Sequence, residues 1–159
     1  MKNRKHIYLA ASFACDSREE TEKRKQAIEQ MVALLQNAIR DATWYVPHQL
    51  VIPNAWDMTM GEWAKAVYDA DIAELDKADL VIFLSFGKCN NAGSAWECGY
   101  AQGSGKPVVM IRMTDNTESV MLYGSAWAIL DKRQATGYDW DKLPRFITSS
   151  LYRSKYTLS

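Results

Sequence analysis

The stretch of this sequence richest in reactive groups reads Asn90-Asn91-Ala92-Gly93-Ser94-Ala95-Trp96-Glu97-Cys98-Gly99-Tyr100-Ala101. It follows an apolar run and puts a carboxylate, Glu97, in the first turn of the helix that would leave a central strand. A helix N-terminus favours negative charge, and a glycine such as Gly93 lets a ligand approach the backbone closely. A carboxylate held ionised there can act as a nucleophile. The same residues allow a plainer reading, because Ser94-Ala95-Trp96-Glu97 has the form of a capping box in which Glu97 only satisfies a backbone amide. On pattern alone, the cap is the simpler account. The three cysteines, Cys15, Cys89 and Cys98, are odd in number and lack CxxC or Cys/His spacing, so neither a disulfide framework nor a metal site is expected. No cofactor is implied, and a reducing, cytoplasmic setting is the default.

Composition narrows the partners. At 159 residues and 48% hydrophobic, the chain can close one core and is too short for two ordinary domains, so a single domain over 1–159 is expected. Lys+Arg and Asp+Glu stand at 19 each, leaving no net field to draw a nucleic-acid backbone or an anionic membrane. A small, uncharged or singly charged ligand fits better. The opening Met1-Lys2-Asn3-Arg4-Lys5 runs straight into a strand-like hexamer, so neither a signal peptide nor a membrane span is expected.

Positioning Glu97 takes a framework of strands and helices, and the pattern supplies one. His6 to Ala11 is a short β-prone run ending at a polar turn, Ser12 to Ser17. Ser17-Arg18-Glu19-Glu20 has capping-box form, and Ile28, Met31, Val32, Leu35 and Ile39 then recur at helical spacing, predicting a helix over roughly 17–40. Trp44-Tyr45-Val46 predicts strand two, followed by a long irregular loop from Pro47 toward Met60 that carries Trp56 and is long enough to serve as a lid. A second helix is expected from Thr59 to Lys77, with Trp63, Val67, Ala70 and Leu75 inward and Asp69, Asp71, Glu74 and Asp76 on the outer face. Leu80 to Ser85 reads as a strand covered on both faces, the middle of a parallel sheet. Further elements are a helix from Ser94 to Gly103, strands at Val108–Ile111 and Trp127–Leu130, and a last helix from Asp141 to Tyr152 with Pro144 in its first turn.

This alternation predicts a single-domain, flavodoxin-like (Rossmann-like) α/β three-layer sandwich around a five-stranded, mainly parallel sheet with right-handed crossovers. Ligands of such sheets bind beyond the carboxyl ends of the strands, where strand order reverses. Three turns should converge there: Ala11 to Asp16, Phe86 to Gly93, and Met113 to Val120.

The Glu97 segment resembles the signature of the nucleoside 2-deoxyribosyltransferases. That motif has an acidic residue, one intervening position, Gly, the nucleophilic Glu four residues later, then Gly and an aromatic; the positions here read Asn91, Gly93, Glu97, Gly99 and Tyr100. Similarity extends to Ile7-Tyr8-Leu9-Ala10-Ala11-Ser12-Phe13, to Tyr68-Asp69-Ala70-Asp71-Ile72 and to Met121-Leu122, in the family's order. The resemblance implies that Glu97 attacks the anomeric carbon of a 2′-deoxynucleoside, that a covalent deoxyribosyl-enzyme forms, and that a second free base resolves it, with water as a slower acceptor. It implies Tyr8 as the hydrogen-bond donor that orients Glu97, and Asp71 as the acid handling the departing base. By residue type alone, Tyr8 is equally an ordinary strand tyrosine and Asp71 a solvated helix residue. Asn91, Gly93, Ser12, Phe13, Trp56, Met121 and Tyr123 are the substrate-binding candidates.

Asn91 departs from the family's usual Asp, keeping an acceptor, adding a donor and removing a charge. That leaves two enzymatic readings, base exchange on a free deoxynucleoside and hydrolysis of a nucleoside 5′-monophosphate by the same Glu. The lack of a P-loop glycine pattern or an Arg cluster near the motif favours the first. A third reading is non-catalytic, a flavodoxin-like binding domain with Glu97 as a cap. The family is oligomeric, which implies a homo-oligomer with shared active sites. The asparagine expected after strand four is absent from Val120-Met121-Leu122-Tyr123, and the tail runs past Tyr156.

Overall fold

The strand Leu80–Ser85 (β3) is buried at all six positions, as its unbroken apolar run requires. In the computed structural model, which describes residues 4–142, β3 is flanked by Lys5–Ala10 (β1) on one side and Val108–Arg112 (β4) on the other. Ala42–Tyr45 (β2) and Ala128–Asp131 (β5) form the edges, giving the order β2-β1-β3-β4-β5 with every neighbouring pair parallel. Helices Arg18–Ala38 (α1), Met60–Lys77 (α2), Ala92–Gly103 (α3) and Val120–Ser125 (α4) complete the fold. The chain passes from β1 outward to β2, then returns across β1 to β3, so strand order reverses between β1 and β3. Their carboxyl ends therefore open into the crevice where a ligand can lie.

The two faces of the sheet have separate cores. Ile7 and Leu9 of β1, with Ile82 and Leu84 of β3, pack against Ile28, Met31, Val32 and Leu35 of α1. Tyr8 and Ala10, with Val81 and Phe83, face Leu75 of α2 and Cys98 and Ala101 of α3. The period-two alternation of a strand forces this division, and it decides which side Tyr8 serves. Among the described residues no helix is long and apolar enough to cross a membrane.

Local signals fix the helices. The Ser17 hydroxyl accepts the Glu20 N–H at 3.1 Å to start α1. At α2 the capping box is reciprocal: the Glu62 N–H donates to Thr59 Oγ1 at 3.2 Å and the Thr59 N–H donates to Glu62 Oε2 at 2.7 Å. The buried Lys106 ends α2 by donating from Nζ to the Asp76 and Ala78 carbonyls, both at 2.8 Å, placing a cation at the negative end of the helix.

Several expectations are corrected. Helix α3 starts at Ala92, two residues earlier than expected, with Asn91 as its N-cap residue. β2 begins at Ala42 because pairing with Lys5 to Tyr8 extends it backward. Trp127 precedes β5 rather than opening it. The segment after β2 contains two 3-10 turns, Pro47–Gln49 and Ala55–Asp57, and α4 was not foreseen. On α2, Trp63 is exposed while Asp71 is half-buried, the reverse of the expected faces. The helix expected from Asp141 to Tyr152 lies outside the described residues, apart from Asp141 and Lys142, which sit in a 3-10 turn.

Thr59→Ala should cost about 1 kcal/mol of stability, the usual loss for a helix cap. A urea titration checks this through a lower midpoint at unchanged slope, and an unmoved midpoint would show that the capping box does not hold α2.

Candidate active site

Because α3 begins at Ala92, Glu97 stands in its second turn and caps nothing. Ser94 instead donates from Oγ to the Asn91 carbonyl at 3.2 Å and shares a 2.7 Å hydrogen bond with Ser12 Oγ. The helix field fades within the first turn, so it does little to ionise Glu97, contrary to the expectation of a carboxylate stabilised by the helix end. Burial dominates: it pushes the Glu97 carboxyl up to about 8, Asp71 adds like-charge repulsion, and the Tyr8 hydroxyl pulls the other way. In the free protein at neutral pH, the folded state therefore holds Glu97 mostly as the neutral acid.

Tyr8, on the same face of the sheet, is fully buried. Burial first, and then the nearby Glu97 and Asp71 carboxylates, drive its phenol far above the usual range, so it remains a hydroxyl that can donate. Tyr8 Oη and Glu97 Oε2 are both buried without a hydrogen-bond partner of sound geometry among the described residues, although they are close enough for each to shift the other's proton affinity. Orphaned buried polar atoms are rare and call for an account. His48 Nε2 and Arg112 Nε share the condition, but neither accompanies a second orphan on a facing element.

Asp71 joins this cluster from α2. Its Oδ1 accepts the Tyr45 hydroxyl at 2.8 Å; burial raises its proton affinity and the Tyr45 bond opposes that rise. Tyr45 was missed by reading the sequence. It stands opposite Tyr8 in the β1–β2 register, and their rings lie 5.3 Å apart at 35°. Two phenols and two carboxyls thus meet at the carboxyl ends of β1 and β2, between α2 and α3. Among the described residues no Lys or Arg forms a salt bridge with Asp71 or Glu97.

A second polar cluster adjoins the first across the mouth of β3. Asn91 lines a small cleft with Ser12, Ser94, Gly87 and Arg24 and donates from Nδ2 to Glu118 Oε1 at 2.7 Å. Glu118 is 1% exposed and was also missed. Gly87 has a real need to be glycine: its φ is +99°, and a Cβ there would lie 2.6 Å from Asn116 Cβ. A Cβ on Gly93 would meet no protein atom within 4 Å, so packing does not demand that glycine.

The remaining candidates are placed less centrally. Phe13 packs beside the α1-side core with its ring edge on to His48 at 5.7 Å. Trp56 is 99% exposed and stands outside both clusters. On α4, Tyr123 is half-buried against the α2–α3 side, whereas Met121 is 75% exposed. Among the described residues no group of three or more His, Cys, Asp or Glu is placed to hold a metal ion.

Comparison with known proteins gives a family match over residues 7–137, to the model described as nucleoside 2-deoxyribosyltransferase. A nucleoside deoxyribosyltransferase of Lactobacillus johnsonii is 25% identical over 88 residues, 54% of this chain and 58% of that protein, so the matched stretch spans little more than half of that relative's length. A solved 2-deoxyribosyltransferase from Bacillus psychrosaccharolyticus is 27% identical with a TM-score of 0.70, covering 87% of this chain and 96% of the other. A CMP N-glycosidase of Clostridium botulinum, 16% identical with a TM-score of 0.52 over 84% of this chain and 96% of its own, shares the fold alone.

The raised Glu97 carboxyl has a consequence for stability. The unfolded chain releases this proton near the ordinary value of 4.5 and the folded chain only near 8, so between those values the unfolded state binds fewer protons and stability falls as pH rises. Denaturant titrations from pH 4.5 to 8 should show the native protein losing up to about 1.4 kcal/mol per pH unit relative to Glu97→Gln. Parallel curves for the two proteins would place Glu97 in water.

Proposed function

The chain belongs to the nucleoside 2-deoxyribosyltransferase family, and on that premise we propose that it moves a 2-deoxyribosyl group from one nucleobase to another through a covalent bond to Glu97. One observation carries the reading: Tyr8 Oη and Glu97 Oε2 are buried side by side, unpartnered, with Asp71 adjoining them. In the proposed reaction, the single proton of the Glu97–Asp71 pair passes to Asp71, and the ionised Glu97 attacks C1′ of a deoxynucleoside. The C1′–N bond breaks, a C1′–O ester to Glu97 forms, and Asp71 delivers a proton to the departing base. A second base then attacks C1′ from the vacated side, gives its own proton to Asp71, and releases Glu97, so configuration is retained. Tyr8 donates to Glu97 and orients the carboxylate. The ligands are a small deoxynucleoside and a free base; no step needs a cofactor.

The same reading includes a homo-oligomer. Trp63, Tyr68 and Trp96 are exposed at 43%, 48% and 50%, and Trp96 contacts Tyr68 edge-on and stacks on Tyr100, each at 5.6 Å. Exposed aromatics of this kind are characteristic of protein interfaces, and they lie on the two helices that carry Asp71 and Glu97. A second copy seated there would close the site from outside. Trp96→Lys should lower the mass measured by light scattering; a native protein that is already monomeric removes this part of the reading.

Base exchange tests the chemistry directly. Deoxyinosine or thymidine offered with a panel of free bases should yield new deoxynucleosides, with kcat/KM falling as pH rises through about 8, where the Glu97–Asp71 pair gives up the one proton that the departing base needs. Glu97→Ala should lower the rate by several orders of magnitude, and acid-quenched native protein should carry a deoxyribosyl adduct on the Glu97 peptide. Exchange that survives Glu97→Ala would remove the mechanism.

A further inference from the structure

Glu118 ties together three element ends. Its Oε2 accepts the hydroxyl of Ser85, the last residue of β3, at 2.6 Å. Its Oε1 accepts Asn91 Nδ2 at 2.7 Å and the Ser119 N–H at 2.9 Å; Asn91 precedes α3 and Ser119 precedes α4. A carboxylate only accepts, so Asn91 must turn its NH₂ toward Glu118. The amide oxygen then points the other way, and it has no hydrogen-bond partner among the described residues. The side-chain atom left free on Asn91, which lines the cleft, is therefore an acceptor, as on an aspartate. No cation among the described residues forms a salt bridge with Glu118, so the negative charge stands uncancelled one hydrogen bond behind that acceptor.

We propose that Glu118 is a positioning and selectivity residue: through Asn91 it makes the cleft read a free sugar hydroxyl, and it disfavours a phosphate in that place. This rests on the functional reading above, in which Glu97 attacks the sugar of a bound deoxynucleoside. A hydroxyl donates to the Asn91 oxygen; a phosphate offers only acceptors there and meets the Glu118 charge behind it. Arg24 is the group that argues for a phosphate, since it lines the same cleft. Its guanidinium is engaged, lying 4.8 Å over the Phe86 ring with Nη1 3.4 Å from the Ser12 carbonyl.

The test compares deoxyinosine and thymidine with their 5′- and 3′-monophosphates, by kcat/KM on the native protein and by calorimetric Kd on Glu97→Gln. One phosphate position in each pair should be disfavoured by about 100-fold, the scale of a like-charge juxtaposition. Glu118→Gln, nearly isosteric, should raise KM roughly tenfold with less effect on kcat and narrow the discrimination by a similar factor. Asn91→Asp sets two carboxylates against each other and should lose activity, while the double variant Asn91→Asp/Glu118→Gln, which moves the charge without changing its total, should recover to within a few-fold of native. A merely structural Glu118 would give additive damage instead. Native protein that takes both monophosphates as well as the nucleoside, an unchanged ratio in Glu118→Gln, a double variant no better than its worse parent, or no binding by any of these ligands overturns the proposal, and the first outcome would pass the role to Arg24. Loss of base exchange with the Kd discrimination intact would overturn the transfer reaction and leave this inference standing.

Discussion

A carboxyl taken out of water without a cation beside it is the constraint on which the rest of this molecule turns. Glu97 sits beyond the useful range of the α3 helix end, among Tyr8, Tyr45 and Asp71, and burial holds its proton on up to about 8. Such a group costs stability unless something compensates, and the described residues supply phenols rather than a counterion. In the proposed reaction the missing positive charge arrives with the substrate. As the bond to the base breaks, charge develops at C1′ of the sugar, and a carboxylate poorly stabilised in the free site is best stabilised at that moment. A lysine placed beside Glu97 would relieve the free protein and blunt this difference.

The sheet makes that arrangement affordable by dividing its labour between two faces. Ile7 and Leu9 close the α1 side while Tyr8, between them, faces α2 and α3. A shift of one residue in β1 would send Tyr8 into the α1 core and leave Glu97 facing an aliphatic side chain. Register is held by pairing on both sides, to β2 through Tyr8 opposite Tyr45 and to β3 through Tyr8 opposite Val81. Since strand order reverses between β1 and β3, α1 leaves one face and α3 the other, and the turns that carry Ser12 and Asn91 meet above the gap. The Ser12–Ser94 hydrogen bond at 2.7 Å joins the two turns across it.

Much of this was legible in the sequence where the signal is local. The apolar run of β3, the Ser17–Glu20 cap and the spacing of Ile28, Met31, Val32 and Leu35 each specify an element from neighbours a few residues away. Of the candidate site, the motif draws attention to Glu97 and Gly93 and the resemblance to Tyr8 and Asp71, and their roles belong to the proposed function. What escaped depends on contacts between distant segments. Tyr45 matters because it pairs with Tyr8 across 37 positions of chain, and Glu118 because its side chain reaches back 27 residues to Asn91. Asp71 looked solvated beside Asp69 and Glu74 because its burial comes from β1 and β2, whose packing no helical periodicity reports. The α3 start was misplaced by two residues because Ser94 is a sound cap by type, whereas its hydroxyl is committed to the Asn91 carbonyl and to Ser12.

Asn91 shows why a motif is better read as a charge distribution than as letters. An asparagine in place of aspartate removes one negative charge from the position, and taken alone that opens the cleft to anions. The structure sets a buried carboxylate directly against the amide, so the charge is displaced by one side chain, and the amide is compelled to present oxygen to the cleft. An aspartate at this position facing Glu118 would put two carboxylates within 2.7 Å, which at ordinary pH forces one of them to keep a proton. Asparagine, which donates to Glu118, avoids that conflict. On this account residues 91 and 118 form one unit, and a substitution at either is interpretable only with the identity of the other in hand.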